Sequence, residues 1–221
     1  VFEYDTLKNR LREMAFLTKG LKIILKDDRV FDEEGNKKPV VKEFHYEGGI
    51  KEFVEYLNHT KTALYDNIMY FEGTKNDVYV EVAMQHNDSF SDNCYGYVNN
   101  IITPEGGTHV TGFRNAITKT FNAYARDKKL LKESDPALTG EDIREGLTAI
   151  ISVQIPEAIL QFEGQTKSKL GTPVARSIVE NITSEKLKFF LEENKSVATS
   201  IVQKALKGKE AREAARKARE E

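Results

Sequence analysis

The chain has 221 residues, of which 39% are hydrophobic and 31% charged, enough apolar content for one domain of ordinary size plus part of another. Its 33 basic and 35 acidic side chains leave a formal net charge of -2, which excludes a global pull on nucleic acid or anionic lipid, so any DNA contact must come from a local basic patch. A single cysteine, Cys94, excludes an internal disulfide, and no apolar run approaches the roughly 18 residues that a membrane span needs.

Cys94 reads as a small buried thiol in a cytoplasmic protein. No basic-then-apolar segment opens the chain, and Val1 in first place reads as a start within a longer protein or after processing. Residues 5–18 form an amphipathic helix in this reading, with Asp5 as cap and Leu7, Leu11, Met14, Phe16 and Leu17 at helical spacing. Gly20 ends it. Residues 21–26 (LKIILK) read as a short strand. Residues 27–42 are charged, contain Gly35 and Pro39 and lack apolar periodicity, so they read as a hairpin tip or linker and as the domain boundary.

A short strand is expected over 44–47, a turn at Gly48 and Gly49, and a helix over 50–58 with Ile50, Phe53, Val54 and Leu57 inward. Residues 68–72 and 78–86 read as strands around a polar turn at 73–77. The second strand alternates Val78, Val80, Val82 and Met84 on one face with Tyr79, Glu81 and Gln85 on the other. Another strand covers 95–99. After the TPEGGT break at 103–108, a long helix runs to about residue 131 with Phe113, Ile117, Phe121 and Tyr124 inward.

Residues 134–142 read as a polar loop, and 147–155 (LTAIISVQI) as a central buried strand. Helices are expected over 173–181, 184–193 and from 196 to the end, with Pro173 in a first turn, where its missing amide costs little. From residue 204 the chain is mostly Ala, Lys, Arg and Glu, a composition for a helix that needs little tertiary support. It reads either as a solvated helix or as a connector to a following domain. The pattern as a whole predicts an α+β sandwich, a small mixed sheet covered by helices on one side.

Common catalytic signatures are missing. There is no GxxxxGK[ST] loop, GxGxxG, CxxC, HExxH or GxSxG. His45, His59, His86 and His109 are scattered without metal-ligand spacing, and His86 near Asp88 and Asp92 reads as turn chemistry, so no metal site is expected. The segment that stands out is 161–171, QFEGQTKSKLG, a polar loop directly after the central strand. A lysine ammonium there suits a terminal phosphate, and a glutamine amide can donate to a phosphate oxygen or orient a water. On composition alone it reads as a solvated loop, and the pattern without context does not single out a ligand site.

Several stretches together resemble the B subunits of DNA gyrase and topoisomerase IV. They are RLREMAFLTKGLKI (10–23), FHYEGGIKEFVEYLN (44–58), PEGGTHVTGF (104–113), DIREGLTAIISVQIPE (142–157), QFEGQTKSKLG (161–171) and EAREAARKAREE (210–221). They keep the family's order and spacing over nearly the whole chain. The resemblance implies that residues 1–42 are the closing helix and strand hairpin of a GHKL-type ATPase domain whose nucleotide motifs lie upstream. It implies that residues 43–221 are a transducer domain of ribosomal protein S5 domain 2-type fold, known for a left-handed β-α-β crossover, ending in a helical connector.

By the same resemblance, Lys167 contacts the ATP γ-phosphate and stabilises developing charge, a catalytic role, with Gln165 as its companion; Thr166 and Lys169 carry no such role. ATP and Mg2+ would be bound mainly by the upstream domain. The expected partners are a second copy of the same subunit, the A subunits of an A2B2 tetramer, and double-stranded DNA, with no membrane. Arg114, Lys119 and Arg126 on the long helix are the DNA-facing candidates, and Arg212, Arg216, Lys217 and Arg219 weaker ones. TKGLKI and HYEGGIK lean toward gyrase, while the loop and tail fit topoisomerase IV about as well. A stand-alone nucleic-acid-binding module and a small kinase-like enzyme of the same superfamily are the other classes open to this sequence. The first is disfavoured by the balanced charge and the second by the missing glycine-rich phosphate loop.

Overall fold

A short helix, α1 (Tyr4–Leu17), opens the computed structural model, which describes residues 1–220. It buries only its last turn, Ala15, Phe16 and Leu17. β1 (Lys22–Asp27) and β2 (Val40–His45) pair antiparallel as a separate two-stranded sheet, from Lys22↔His45 to Asp27↔Val40. β2 thus begins before the strand expected at 44–47, and the boundary expected between residues 42 and 43 falls inside it.

The chain continues through α2 (Ile50–Leu57), β3 (Met69–Lys75), β4 (Val78–His86), β5 (Asn93–Val98) and β6 (Ile101–Ile102). There follow α3 (Thr108–Asp127), α4 (Gly140–Arg144), β7 (Leu147–Gln154), a 3-10 turn at Glu157–Ile159, α5 (Pro173–Glu193) and α6 (Lys195–Glu220). The five-stranded sheet has the order β3-β4-β7-β5-β6. β7 is central as its apolar run required, antiparallel to β4 and parallel to β5. β3 extends to Lys75, so the hairpin turn is only Asn76 and Asp77, both at positive φ (51° and 62°), the geometry of a type I′ turn.

Alternation along β4 and β7 sends Val78, Val80, Val82, Met84, Ala149, Ile151 and Val153 to one face, where α3 and α5 pack with Phe113, Ile117, Phe121, Ile178 and Val179. Each fully buried phenylalanine here contributes roughly 1.5–3 kcal/mol. α3 and α5 approach closely because Gly112 has no side chain; a Cβ there would lie 2.3 Å from the Arg176 carbonyl oxygen. Ala83 and Ile150, paired in register, point the other way and meet Ile50, Phe53 and Val54 of α2, backed by Phe16 of α1. Helices therefore cover both faces, not the single face expected, because β4 and β7 carry small or apolar residues on their second face as well.

α5 is one helix where two were expected. The break foreseen near residue 182 does not occur, because Ile182 and Thr183 are buried on the core side of a continuous turn. α6 runs through Glu220, and the expectation that it reaches the last residue falls, at Glu221, outside the described residues. Among the described residues, no helix is long and apolar enough to cross a membrane.

Candidate functional site

The 161–171 loop is pinned at its root and free at its tip. Beyond β7, the Gln161 amide donates to the Thr172 hydroxyl (2.9 Å), which itself donates to the Ile159 carbonyl (3.1 Å). Phe162 and Leu170 form an antiparallel bridge, and the Glu163 amide donates to the Lys169 carbonyl at 2.9 Å. The returning arm is stitched to the segment entering α3: the Leu170 amide donates to the Gly106 carbonyl (3.0 Å), and the Thr108 amide to the Leu170 carbonyl (3.1 Å). Gly107 permits this approach, with φ 131° and no room for a Cβ, which would lie 2.3 Å from the Leu170 carbonyl oxygen.

At the tip, Gln165, Thr166 and Lys167 are all exposed. The Thr166 hydroxyl is 2.8 Å from that of Ser168, which donates to the Glu105 carboxylate, so Thr166 is held by its own loop. Lys169 pairs with Glu163 at 3.0 Å, whereas Lys167 makes no ion pair among the described residues. Lys167 stands at the rim of a cleft of about 460 Å³ lined by Asn99, Gln154, Ile155 and Pro156, at the end where both parallel strands finish. The arrangement is a rigidly rooted finger carrying an available ammonium and amide, suited to an anion presented from outside the chain.

The three residues proposed from α3 separate. Arg114 and Lys119 line one cleft of about 540 Å³, to which Arg144 and Arg176 also contribute, opposed by Glu180. Arg114 Nε is buried and lacks a hydrogen-bond partner among the described residues. Arg144 and Arg176 escaped the sequence reading because they lie on α4 and α5, and only packing brings them to α3. Arg126 is elsewhere: its guanidinium donates to the Lys132 (2.9 Å) and Asp135 (3.1 Å) carbonyls, tying down the loop after α3.

Of the basic residues on α6, Arg212 is engaged with Asp142 and Glu145, while Arg216 faces Glu220 at 3.9 Å. Lys217 and Arg219 are exposed. Burial pushes Asp142 upward, but the Thr139 amide and the Arg212 guanidinium outweigh it and hold the carboxyl below its ordinary value. Burial pushes the Cys94 thiol up, reinforced by Asp92, to about 12, so it is a protonated thiol at neutral pH.

His86 is fully buried. Its Nε2 donates to the Ile143 carbonyl at 2.9 Å, and its Nδ1 accepts from the Tyr65 hydroxyl at 2.9 Å, so both ring nitrogens serve the core. Among the described residues no group of three His, Cys, Asp or Glu side chains is placed to hold a metal ion.

A family model described as DNA gyrase B matches residues 49–221. The chain is 55% identical over 220 residues to the B subunit of DNA gyrase from Halalkalibacterium halodurans, covering 100% of this chain and 33% of that protein. It is 54% identical over 220 residues to the B subunit of DNA topoisomerase 4 from Bacillus subtilis, covering 100% of this chain and 32% of that protein. Among solved structures, the 43K ATPase domain of Thermus thermophilus gyrase B in complex with an aminocoumarin superimposes with a TM-score of 0.84 and 38% identity, over 99% of this chain and 56% of that one. The chain thus spans about a third of the length of the curated relatives it matches. On this fold and these matches, the chain belongs to the DNA gyrase B family, as a transducer-domain region of a type IIA topoisomerase B subunit.

Proposed function

We propose that this chain senses the γ-phosphate of ATP through its 161–171 loop and converts nucleotide state into movement of DNA-gating elements in a type IIA topoisomerase. The observation that carries this is Lys167, exposed and free of ion pairs among the described residues at the tip of a loop rooted on the central strand. Lys167 supplies a charge to an outer phosphate oxygen and Gln165 an amide beside it. One charge-assisted hydrogen bond is worth about 1.5–3 kcal/mol, so its loss on phosphate release biases the loop by roughly tenfold to a hundredfold between two positions. While the γ-phosphate is reacting, the same ammonium stabilises negative charge that develops on it.

In this reading the nucleotide and Mg2+ are held mainly by a preceding ATPase domain, to which residues 1–42 contribute. The parent subunit pairs with a second copy and with A subunits, and the transducer lies beside the DNA segment in the cytoplasm. The Arg114 and Lys119 cleft, with Arg176, supplies sequence-independent phosphate contacts, while Arg144 beside them is paired with Asp92 at 2.9 Å. TKGLKI and HYEGGIK favour gyrase over topoisomerase IV; negative supercoiling on reconstitution with a gyrase A subunit is the outcome that separates them, and decatenation without supercoiling reverses the assignment.

The deciding test is Lys167→Ala in the full-length subunit. ATP turnover is expected to drop at least tenfold, about 1.4 kcal/mol of transition-state stabilisation, with the melting temperature unchanged. Wild-type turnover in that variant removes the site. The isolated chain is expected to show no ATP hydrolysis, and turnover above background in the pure polypeptide would overturn the assignment of the nucleotide to another domain.

A further inference from the structure

Resting on the γ-phosphate reading above, we infer that Asn99 is the positioning residue for Lys167: its side chain fixes the direction in which the chain leaves β7 and so sets where the loop tip stands. β5 and β7 are parallel, so the turn after β5 and the loop after β7 begin side by side. The last backbone bond between them runs from the Asn99 amide to the Val153 carbonyl (2.9 Å). Beyond it the two chains diverge, because β5 turns back at once into β6 through Asn99 and Asn100, both at positive φ (48° and 65°). Ile155 is then left buried, with an amide and a carbonyl that no strand can reach.

The Asn99 carboxamide takes over both. Its Oδ1 accepts from the Ile155 amide at 2.8 Å, and its Nδ2 donates to the Ile155 carbonyl at 3.1 Å. One side chain thereby imitates a further ladder step and carries β7 in extended form up to Pro156, where the chain breaks into the 3-10 turn and the loop. Pro156 has no amide, and it confines Ile155 to extended backbone. The exit angle is therefore determined by the two Asn99 bonds and the proline together.

The turn is held from two further sides. Gln154 donates to the Asn100 side chain (2.9 Å), and Arg10 of α1 donates to the Asn100 carbonyl (3.0 Å). The helix assigned to the ATPase side and the stem of the sensing loop thus share one two-residue turn. Lys167 closes the same cleft that Asn99 and Ile155 line.

Asn99→Gly is the discriminating variant, because glycine accepts the positive φ and removes only the carboxamide. In the full-length subunit, turnover is expected to fall roughly tenfold to a hundredfold, the cost of about 1 Å of misplacement of a group that acts on the reacting phosphate. Affinity for a non-hydrolysable ATP analogue falls, while affinity for ADP, which lacks the γ-phosphate, stays at the wild-type value. Asn99→Asp, which keeps the acceptor for the Ile155 amide and loses the donor, falls between the two; should the glycine variant melt below the assay temperature, the same measurements are made on Asn99→Asp. In a Lys167→Ala background either change is expected to add less than about twofold, since a positioning residue has nothing left to position.

A full additional loss in that background overturns the inference, and so does wild-type turnover of Asn99→Gly where Lys167→Ala is impaired. A Lys167→Ala subunit with normal turnover instead removes the γ-phosphate reading itself.

Discussion

His86 and His109 are both held neutral by burial, each pushed down to about 4. In the unfolded chain they titrate near the ordinary value of about 6.5. The unfolded state therefore binds more protons between those limits, and stability is fully present above about pH 6.5 and is lost as pH falls toward 4. Urea unfolding of the isolated chain at a series of pH values is expected to show this slope, equivalent to about two protons taken up near pH 5. A flat profile between pH 6.5 and 4 would show that the two rings are not sequestered. From its neighbours Asp88 and Asp92, His86 reads as a member of an acidic turn; its burial beneath α4 cannot be read from them. Lys167 is the opposite case: its polar surroundings in sequence read as an exposed loop, and folding leaves it exposed.

Gly107 shows how elements decide the loop's root. Gly107→Ala places a Cβ against the Leu170 backbone at a φ that alanine disfavours. The expected loss exceeds about 1 kcal/mol, read as a lowered melting temperature of the chain, and the parent subunit should lose ATP turnover with it. Unchanged stability would mean that the Gly107–Leu170 bridge is not the anchor of the loop.

A second element-scale contact joins α4 to α6. The capping box of Thr139 and Asp142 starts α4, and the buried Asp142 carboxylate also receives Arg212 from α6. Arg212→Ala leaves that carboxylate short of a partner and is expected to cost about 1–2 kcal/mol in chemical denaturation, whereas Arg216→Ala, on the exposed stretch, is expected to be neutral. Equal effects would contradict the clamp. α4 is not legible in the sequence because its five residues are too few to show a period; only Ile143 in the core and Arg212 outside it make the turn worth forming.

For the whole molecule, α6 divides into two parts. Ala198, Ile201, Val202 and Ala205 are buried against the core, while every described residue beyond Arg212 is exposed. Ending the chain after Arg212 is therefore expected to change stability by no more than about 0.5 kcal/mol, and hydrogen exchange over 213–220 should be fast. A large loss on truncation would mean that the distal helix is held by contacts this architecture lacks. Such a helix is ordered by alanine and charge pairs rather than by packing against the core.

Period and composition alone determined much of this protein. The alternation of Val78, Val80, Val82 and Met84 located β4 to the residue, the apolar run after Gly146 placed β7 at the centre, and Phe113, Ile117, Phe121 and Tyr124 named the buried face of α3. These patterns are local, and burying one face of an element requires them whatever the fold. Tertiary structure alone decided that α2 would cover the second face of the sheet, that Ile182 would keep α5 unbroken, that Arg144 and Arg176 would join Arg114, and that Asn99 would complete the strand leading to Lys167. Each of these is a meeting of residues far apart in the chain, and chain distance carries no record of which partner desolvates a side chain or completes its hydrogen bonds.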